Sequence, residues 1–170
     1  MRVGVISDTH DRLPTFRRAM AMFRQVGVGA VFHAGDFVAP FAAKLLLPEV
    51  SGLGETPVHC VLGNNDGERA GLKAMLPQVV EGALRVEVGG RVVVMSHFIE
   101  WLRPEEMMGA DVVITGHTHE AGHEVVEVGG QQQLRLNPGE CCGWVTDRCT
   151  VALLDLETLK ADVVEVYGGP

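Results

Sequence analysis

Five short segments of this sequence carry the side chains that could do chemistry: Ser7-Asp8-Thr9-His10, Gly35-Asp36, Gly63-Asn64-Asn65-Asp66, Ser96-His97 and Gly116-His117-Thr118-His119. Carboxylate, amide oxygen and imidazole, with no thiolate, make a donor set suited to a borderline cation such as Mn, Fe, Co, Ni or Zn. Seven donors stand out: Asp8, His10, Asp36, Asn64, His97, His117 and His119. That is more than one ion can use while keeping positions open for water and substrate. It suits two ions sharing a bridging carboxylate; such a pair, about 3.5 to 4 Å apart, can hold a hydroxide and clamp a phosphoryl group. Two divalent ions, two carboxylates and a hydroxide leave about one net positive charge, which attracts an anionic phosphate. Any single segment has a plainer reading, Gly-Asn-Asn-Asp for instance being a good turn sequence. The joint order of the five carries the metal reading.

Each segment follows a short apolar run. Val3 to Ile6, Ala30 to Phe32, Val58 to Leu62, Val92 to Met95 and Val112 to Ile114 are rich in β-branched residues and read as buried strands. In open α/β sheets ligands bind outside the carboxyl ends of the strands, so five strands would deliver their donors to one edge. Glycine at 35, 63 and 116 would let the chain turn sharply before each donor. Leu13 to Val26 places Phe16, Met20 and Phe23 at helical spacing, with Pro14 in the first turn and Asp11 as the expected cap. Pro40 to Leu47, Glu68 to Leu76 and Pro104 to Met108 read as further helices. Leu84 to Val88 and Val92 to Met95 form a hairpin across Gly89-Gly90. Beyond Gly116, Glu124 to Val128, Leu134 to Leu136, Val151 to Leu156 and Ala161 to Val166 read as strands joined by short turns such as Gly129-Gly130. Strand and helix alternate in the first half and strands dominate the second, which predicts a layered α/β protein with mixed sheets.

With 170 residues, 46% hydrophobic and 21% charged, the sequence suits one globular domain over residues 1–170. No apolar run approaches the roughly 18–20 residues that span a bilayer, and Asp8 interrupts the first apolar stretch too soon for a signal peptide. The expectation is a cytoplasmic protein with no membrane partner. A net charge of −8 argues against a nucleic-acid polymer, whose binding needs Lys and Arg to displace counterions. A small phosphorylated substrate is compatible with it, because a metal cluster supplies positive charge locally. Cys60, Cys141, Cys142 and Cys149 lack the paired spacing of a structural zinc site and read as small buried hydrophobes, with redox sensitivity of Cys141 and Cys142 as the alternative.

Asp-Thr-His, Gly-Asp-Phe, Gly-Asn-Asn-Asp, Ser-His and Gly-His-Thr-His in this order, followed by Leu136-Asn137-Pro138-Gly139, make the sequence resemble the calcineurin-like metallophosphoesterases, in their small single-domain prokaryotic branch. The resemblance implies a four-layer α-β-β-α sandwich with two mixed sheets. It implies Asp8, His10 and His119 on one divalent ion, Asn64, His97 and His117 on another, and Asp36 between them. Manganese is the first expectation for both ions, with Ni, Fe, Co or Zn as alternatives. Asp36, Asn64 and Asn65 would form the catalytic core around an attacking hydroxide, and Asp66 would orient a ligand or loop. The implied activity is hydrolysis of phosphodiesters with some action on monoesters. A non-catalytic scaffold of the same fold and a nuclease are the competing functions.

Two positions depart from the family pattern. Asn65 stands where many members carry a substrate-contacting histidine, and an amide cannot act as a general acid near neutral pH. That predicts a preference for good leaving groups, activated diesters included, over alkyl monoesters. Phe98 follows His97 where glycine is frequent, and its bulk would narrow the cleft. His33 is a candidate partner of the Asp36 loop, His59 a core or sheet-edge histidine and His123 a surface one; Trp101 and Trp144 read first as packing residues, with flanking the cleft as the alternative. Glu140 to Trp144 is expected to wall the pocket, with no catalytic residue named there. A homo-oligomer paired through hairpin edges within Leu84 to Met95 is compatible with the sequence.

Overall fold

The structure, a computed structural model, describes residues 1–166. The first half builds β1 (Arg2–Ile6), α1 (Leu13–Val26), β2 (Val31–His33), α2 (Pro40–Ala43), α3 (Pro48–Ser51), β3 (Val58–Cys60) and α4 (Arg69–Met75). There follow β4 (Leu84–Val88), β5 (Arg91–Met95), α5 (Pro104–Met107), β6 (Val112–Ile114), β7 (Gly122–Val128), β8 (Gln131–Asn137), β9 (Thr150–Asp155) and β10 (Lys160–Glu165). One sheet runs β10-β9-β1-β2-β3 and the other β4-β5-β6-β8-β7. Each is mixed: β1, β2 and β3 are parallel with β9 and β10 antiparallel, while β5, β6 and β8 are parallel between antiparallel β4 and β7.

The alternation of side chains along the strands sorts the core into layers. Val3, Val5, Phe32 and Leu154 of the first sheet meet Val93, Met95, Ile114 and Leu136 of the second, all buried. On the far face of the first sheet Ile6 and Val31 pack under Phe16, Met20 and Phe23 of α1. Gly4 makes that approach feasible, since a Cβ there would lie 2.8 Å from the Phe23 ring. The far face of the second sheet holds the smallest cluster, Val94, Leu102, Ala110 and Val113, covered by α5 and a single 3-10 turn at Ile99–Trp101. The four-layer sandwich is therefore present, with its fourth layer thin.

Local departures from the sequence expectations have identifiable causes. The helix expected over Pro40 to Leu47 is α2 followed by a 3-10 turn at Lys44–Leu46, because Pro48 holds Leu47 extended at φ −64 and ψ 139 before α3 begins. Asp11 does not cap α1: Arg12 occupies that position without a side-chain bond, and Asp11 instead accepts the Ala39 N–H at 3.1 Å. Gly27 closes α1 in the left-handed conformation, as Gly89-Gly90 and Gly129-Gly130 do for the two hairpins. The strand expected over Val58 to Leu62 pairs with β2 only to Cys60, after which Val61 bridges to Val80. Leu134 to Leu136 lies within a longer β8, whose register with β7 runs from Gly122 opposite Asn137 to Val128 opposite Gln131.

Candidate metal centre

β1, β2, β3, β5 and β6 all end at one edge of the sandwich, and the seven candidate donors stand just beyond those ends. His10 Nε2 lies 3.7 Å from Asp8 Oδ1 and 3.4 Å from Asp36 Oδ2. His119 Nε2 is 3.4 Å from Asp8 Oδ1, and His97 Nε2 is 3.4 Å from Asp36 Oδ2. Asn64 Oδ1 faces His97 Nε2 at 3.0 Å and His117 Nδ1 at 3.2 Å. Asp8, His10 and His119 thus form one group and Asn64, His97 and His117 another, with the Asp36 carboxylate reaching both.

The backbone is bent hard to achieve this. Asp8, His10, Asp36, His117 and His119 all have positive φ, between 38 and 67°. Side-chain-bearing residues rarely adopt that conformation, and each instance costs on the order of 1–3 kcal/mol. The glycines expected to make these turns act otherwise at two of three places. Gly35 does take positive φ, but Gly63 and Gly116 leave room for close approach instead. A Cβ on Gly63 would sit 2.1 Å from Asp36 Oδ1, and one on Gly116 would sit 2.0 Å from Ser7 Oγ.

Hydrogen bonds fix the bent loops. Buried Asp66 accepts the N–H groups of Asp36 at 3.0 Å, Gly63 at 2.7 Å and Val38 at 2.8 Å, tying two donor loops together. Burial, opposed by those N–H groups, leaves its carboxyl above the ordinary range. Buried His33 stacks on Phe37 at 3.7 Å. Its Nδ1 accepts the Gly35 N–H at 3.2 Å, so its Nε2 is the nitrogen that donates to Thr9 Oγ1, at 3.3 Å. Thr9 donates in turn to the Asp36 carbonyl. His59 stacks on Phe32 at 4.9 Å, and His123 is exposed.

The donor atoms suit cations. Asp8 Oδ1 and His10 Nε2 are buried atoms with no hydrogen-bond partner, each aimed at the other donors. An orphaned carboxylate oxygen and an orphaned imidazole nitrogen in mutual contact are costly unless a third group satisfies them. Burial would raise the Asp36 carboxyl, but contacts with His97 and Asn65 outweigh it and hold the group well below the usual carboxylate range. His97 Nδ1 donates to the Ala34 carbonyl at 2.8 Å, which turns its Nε2 toward the cluster.

Glu140, expected from the sequence only as part of the pocket wall, plays the matching part for His119. The side chain is fully buried and accepts His119 Nδ1–H at 2.8 Å. Against the desolvation that burial brings, the donors around Glu140 keep its carboxyl down at about 2. The only signal in the sequence was an acidic residue beside two cysteines after Asn-Pro-Gly. Asn65, at the position where many family members carry a substrate-contacting histidine, donates to Asp36 through both its backbone N–H and its Nδ2, each at 2.8 Å. Phe98 stacks on His117 at 3.6 Å and on Trp101 at 4.4 Å, and these residues border a groove of about 400 Å³ that opens beside the cluster. Across the cluster Trp144, 62% exposed, donates to the His10 carbonyl and lies under the Arg12 guanidinium. Both tryptophans therefore stand at the rim, the alternative to the packing role that the sequence puts first.

Asp, Asn and His donors at the common edge of two packed mixed sheets define a class of protein: the chain belongs to the calcineurin-like phosphoesterase superfamily, whose domain profile matches residues 1–159. Within it, a phosphodiesterase of Methanocaldococcus jannaschii is 37% identical over 165 residues, covering 92% of this chain and 94% of that protein. Among solved structures, an archaeal phosphodiesterase superposes with a TM-score of 0.80 at 34% identity, over 97% of this chain and 99% of that one. The Escherichia coli phosphoesterase YfcE shares the fold, with a TM-score of 0.71 at 20% identity over 98% of this chain and 100% of that one.

Proposed function

We propose that this chain is a metal-dependent phosphoesterase that hydrolyses small phosphate esters, diesters foremost. The observation that carries this reading is the pair of buried, unpartnered atoms, Asp8 Oδ1 and His10 Nε2, within a cluster of nitrogen and oxygen donors. Asp8, His10 and His119 hold one divalent ion, Asn64, His97 and His117 a second, and Asp36 serves both. Ions held there supply Lewis acidity toward phosphoryl oxygens and ease deprotonation of an attacking water. The protein's own share is placement. Glu140 and the Ala34 carbonyl orient His119 and His97, and Asn65 clamps Asp36 from two directions.

Asn65 offers no acidic proton for a departing alkoxide, so esters with good leaving groups are the preferred substrates. Manganese, the first expectation from the family resemblance, is the first ion to supply. The net charge of −8 disfavours a nucleic-acid polymer, and salt-dependent retention on DNA or RNA would contradict that part of the reading. Among the described residues no helix is long and apolar enough to cross a membrane. Because β4 ends its sheet, its free edge is the site at which a homo-oligomer would pair, which sedimentation can check.

The decisive assay loads the protein with manganese and follows nitrophenol release from bis(nitrophenyl) phosphate. Turnover is expected, and Asp36→Asn should lose more than the roughly 10–100-fold typical of outer-shell partners. A preparation that binds two ions yet turns over neither diester nor monoester would establish a scaffold instead.

A further inference from the structure

Cys142 lies among the donors assigned above to the first ion, although the sequence reading excluded thiolate from the set. Its Sγ and ring nitrogens of His10 and His119 lie within 4.8 Å of one another. The residue is fully buried. Its N–H bonds the Asp8 carbonyl at 3.1 Å, and the Cys141 N–H bonds the Ser7 carbonyl at 3.0 Å. This pairing holds the Cys141-Cys142 segment against the loop that carries Asp8 and His10. Independently of the sulfur, Asp8 Oδ1 is left without a hydrogen bond on a side chain with no exposure, 3.7 and 3.4 Å from the Nε2 atoms of His10 and His119. A carboxylate oxygen so placed calls for a cation.

The thiol donates to Glu140 Oε2 at 2.9 Å. Glu140 does not depend on that proton. A carboxylate has about four lone-pair sites. Glu140 is also offered hydrogens by His119 Nδ1, the backbone N–H groups of Trp144, Val145 and Thr146, and the Thr146 hydroxyl. It stays satisfied if the sulfur turns to a cation.

We infer that Cys142 is a further ligand of the first ion, adding sulfur to a site otherwise built of nitrogen and oxygen. The inference rests on the two-ion reading above. As the sulfur–metal bond forms the S–H bond breaks and its proton passes to solvent; no electron is transferred. Sulfur biases a site toward zinc, iron or cobalt and away from the hard ions magnesium and manganese. The first position therefore takes a softer ion than the second, where Asn64, His97 and His117 offer oxygen and nitrogen only.

Titration of the intact protein with cobalt(II) tests this without reference to activity. A sulfur-to-cobalt charge-transfer band in the near ultraviolet should grow as the first position fills. It should vanish in Cys142→Ser and persist in Cys141→Ser and Cys149→Ser. Zinc affinity, measured by competition with a chromophoric chelator, should fall about 10–100-fold in Cys142→Ser, with a smaller change for manganese. Two bound cobalt ions without the band, or a band unchanged by Cys142→Ser, would overturn the assignment and leave the two-ion reading standing. Failure to bind cobalt at all would overturn both. Should Cys142→Ser not fold, the spectrum of the unsubstituted protein decides the matter alone.

Discussion

His33 shows how a residue outside the donor set can govern the protein's response to acid. Burial, reinforced by the charge of nearby His97, lowers its pKa from 6.5 to about 3, so the folded protein keeps it neutral. The unfolded chain takes up a proton near pH 6.5 that the folded chain refuses until about pH 3. The stability this group contributes is therefore complete above pH 6.5 and declines as pH falls through that window. The decline is at most about 1.4 kcal/mol per pH unit. Urea unfolding of His33→Asn at a series of pH values should give a shallower acid slope; an unchanged slope would refute the neutral assignment. Position 65 supports a second expectation. Asn65→His introduces a general acid while keeping the backbone bond to Asp36, so alkyl monoester turnover should rise relative to that of nitrophenyl diesters. If the variant slows every substrate and improves none, leaving-group chemistry is not what position 65 controls.

At the level of elements, the legible part of the sequence was the part governed by periodicity. β-branched runs marked β1 to β6, the 3.6-residue repeat marked α1, and paired glycines marked both hairpins. The convergence of the seven candidate donors was legible for the same reason, since each follows a strand and strand ends share an edge. What stayed hidden depended on contacts between distant segments. Nothing local in the sequence reveals that Glu140 meets His119 or that Cys142 approaches His10. Nor does it reveal that Gly63 is there for Asp36 and not for a turn, because that requires β2 and β3 to be neighbours first. The substitution Gly63→Ala tests the point. Its Cβ would lie 2.6 Å from the Asp36 backbone N, an atom that cannot swing aside. A loss of about 1–3 kcal/mol in unfolding free energy is expected, together with reduced metal content. A variant that binds two ions as tightly as the parent would contradict the packing argument.

For the whole molecule, metal and stability should be linked. A ligand that binds only the folded state at 100 times its Kd adds about 2.7 kcal/mol. For a chain of this size that is roughly 5–10 °C in Tm per occupied site. Chelation should lower Tm by that amount and abolish ester hydrolysis, and resupplied divalent metal should restore both; a Tm indifferent to chelator would argue that the folded chain holds no ion. The arrangement of the donors gives this linkage a direction. Asp8, His10, Asp36 and Asn64 hang from one sheet, while His97, His117 and His119 hang from the other. A pair of ions seated there would rivet the two halves of the sandwich across their seam. Any sliding of one sheet over its partner would then dismantle the reaction centre before it loosened either sheet, so catalysis would register a slip between the halves earlier than spectroscopic probes of secondary structure.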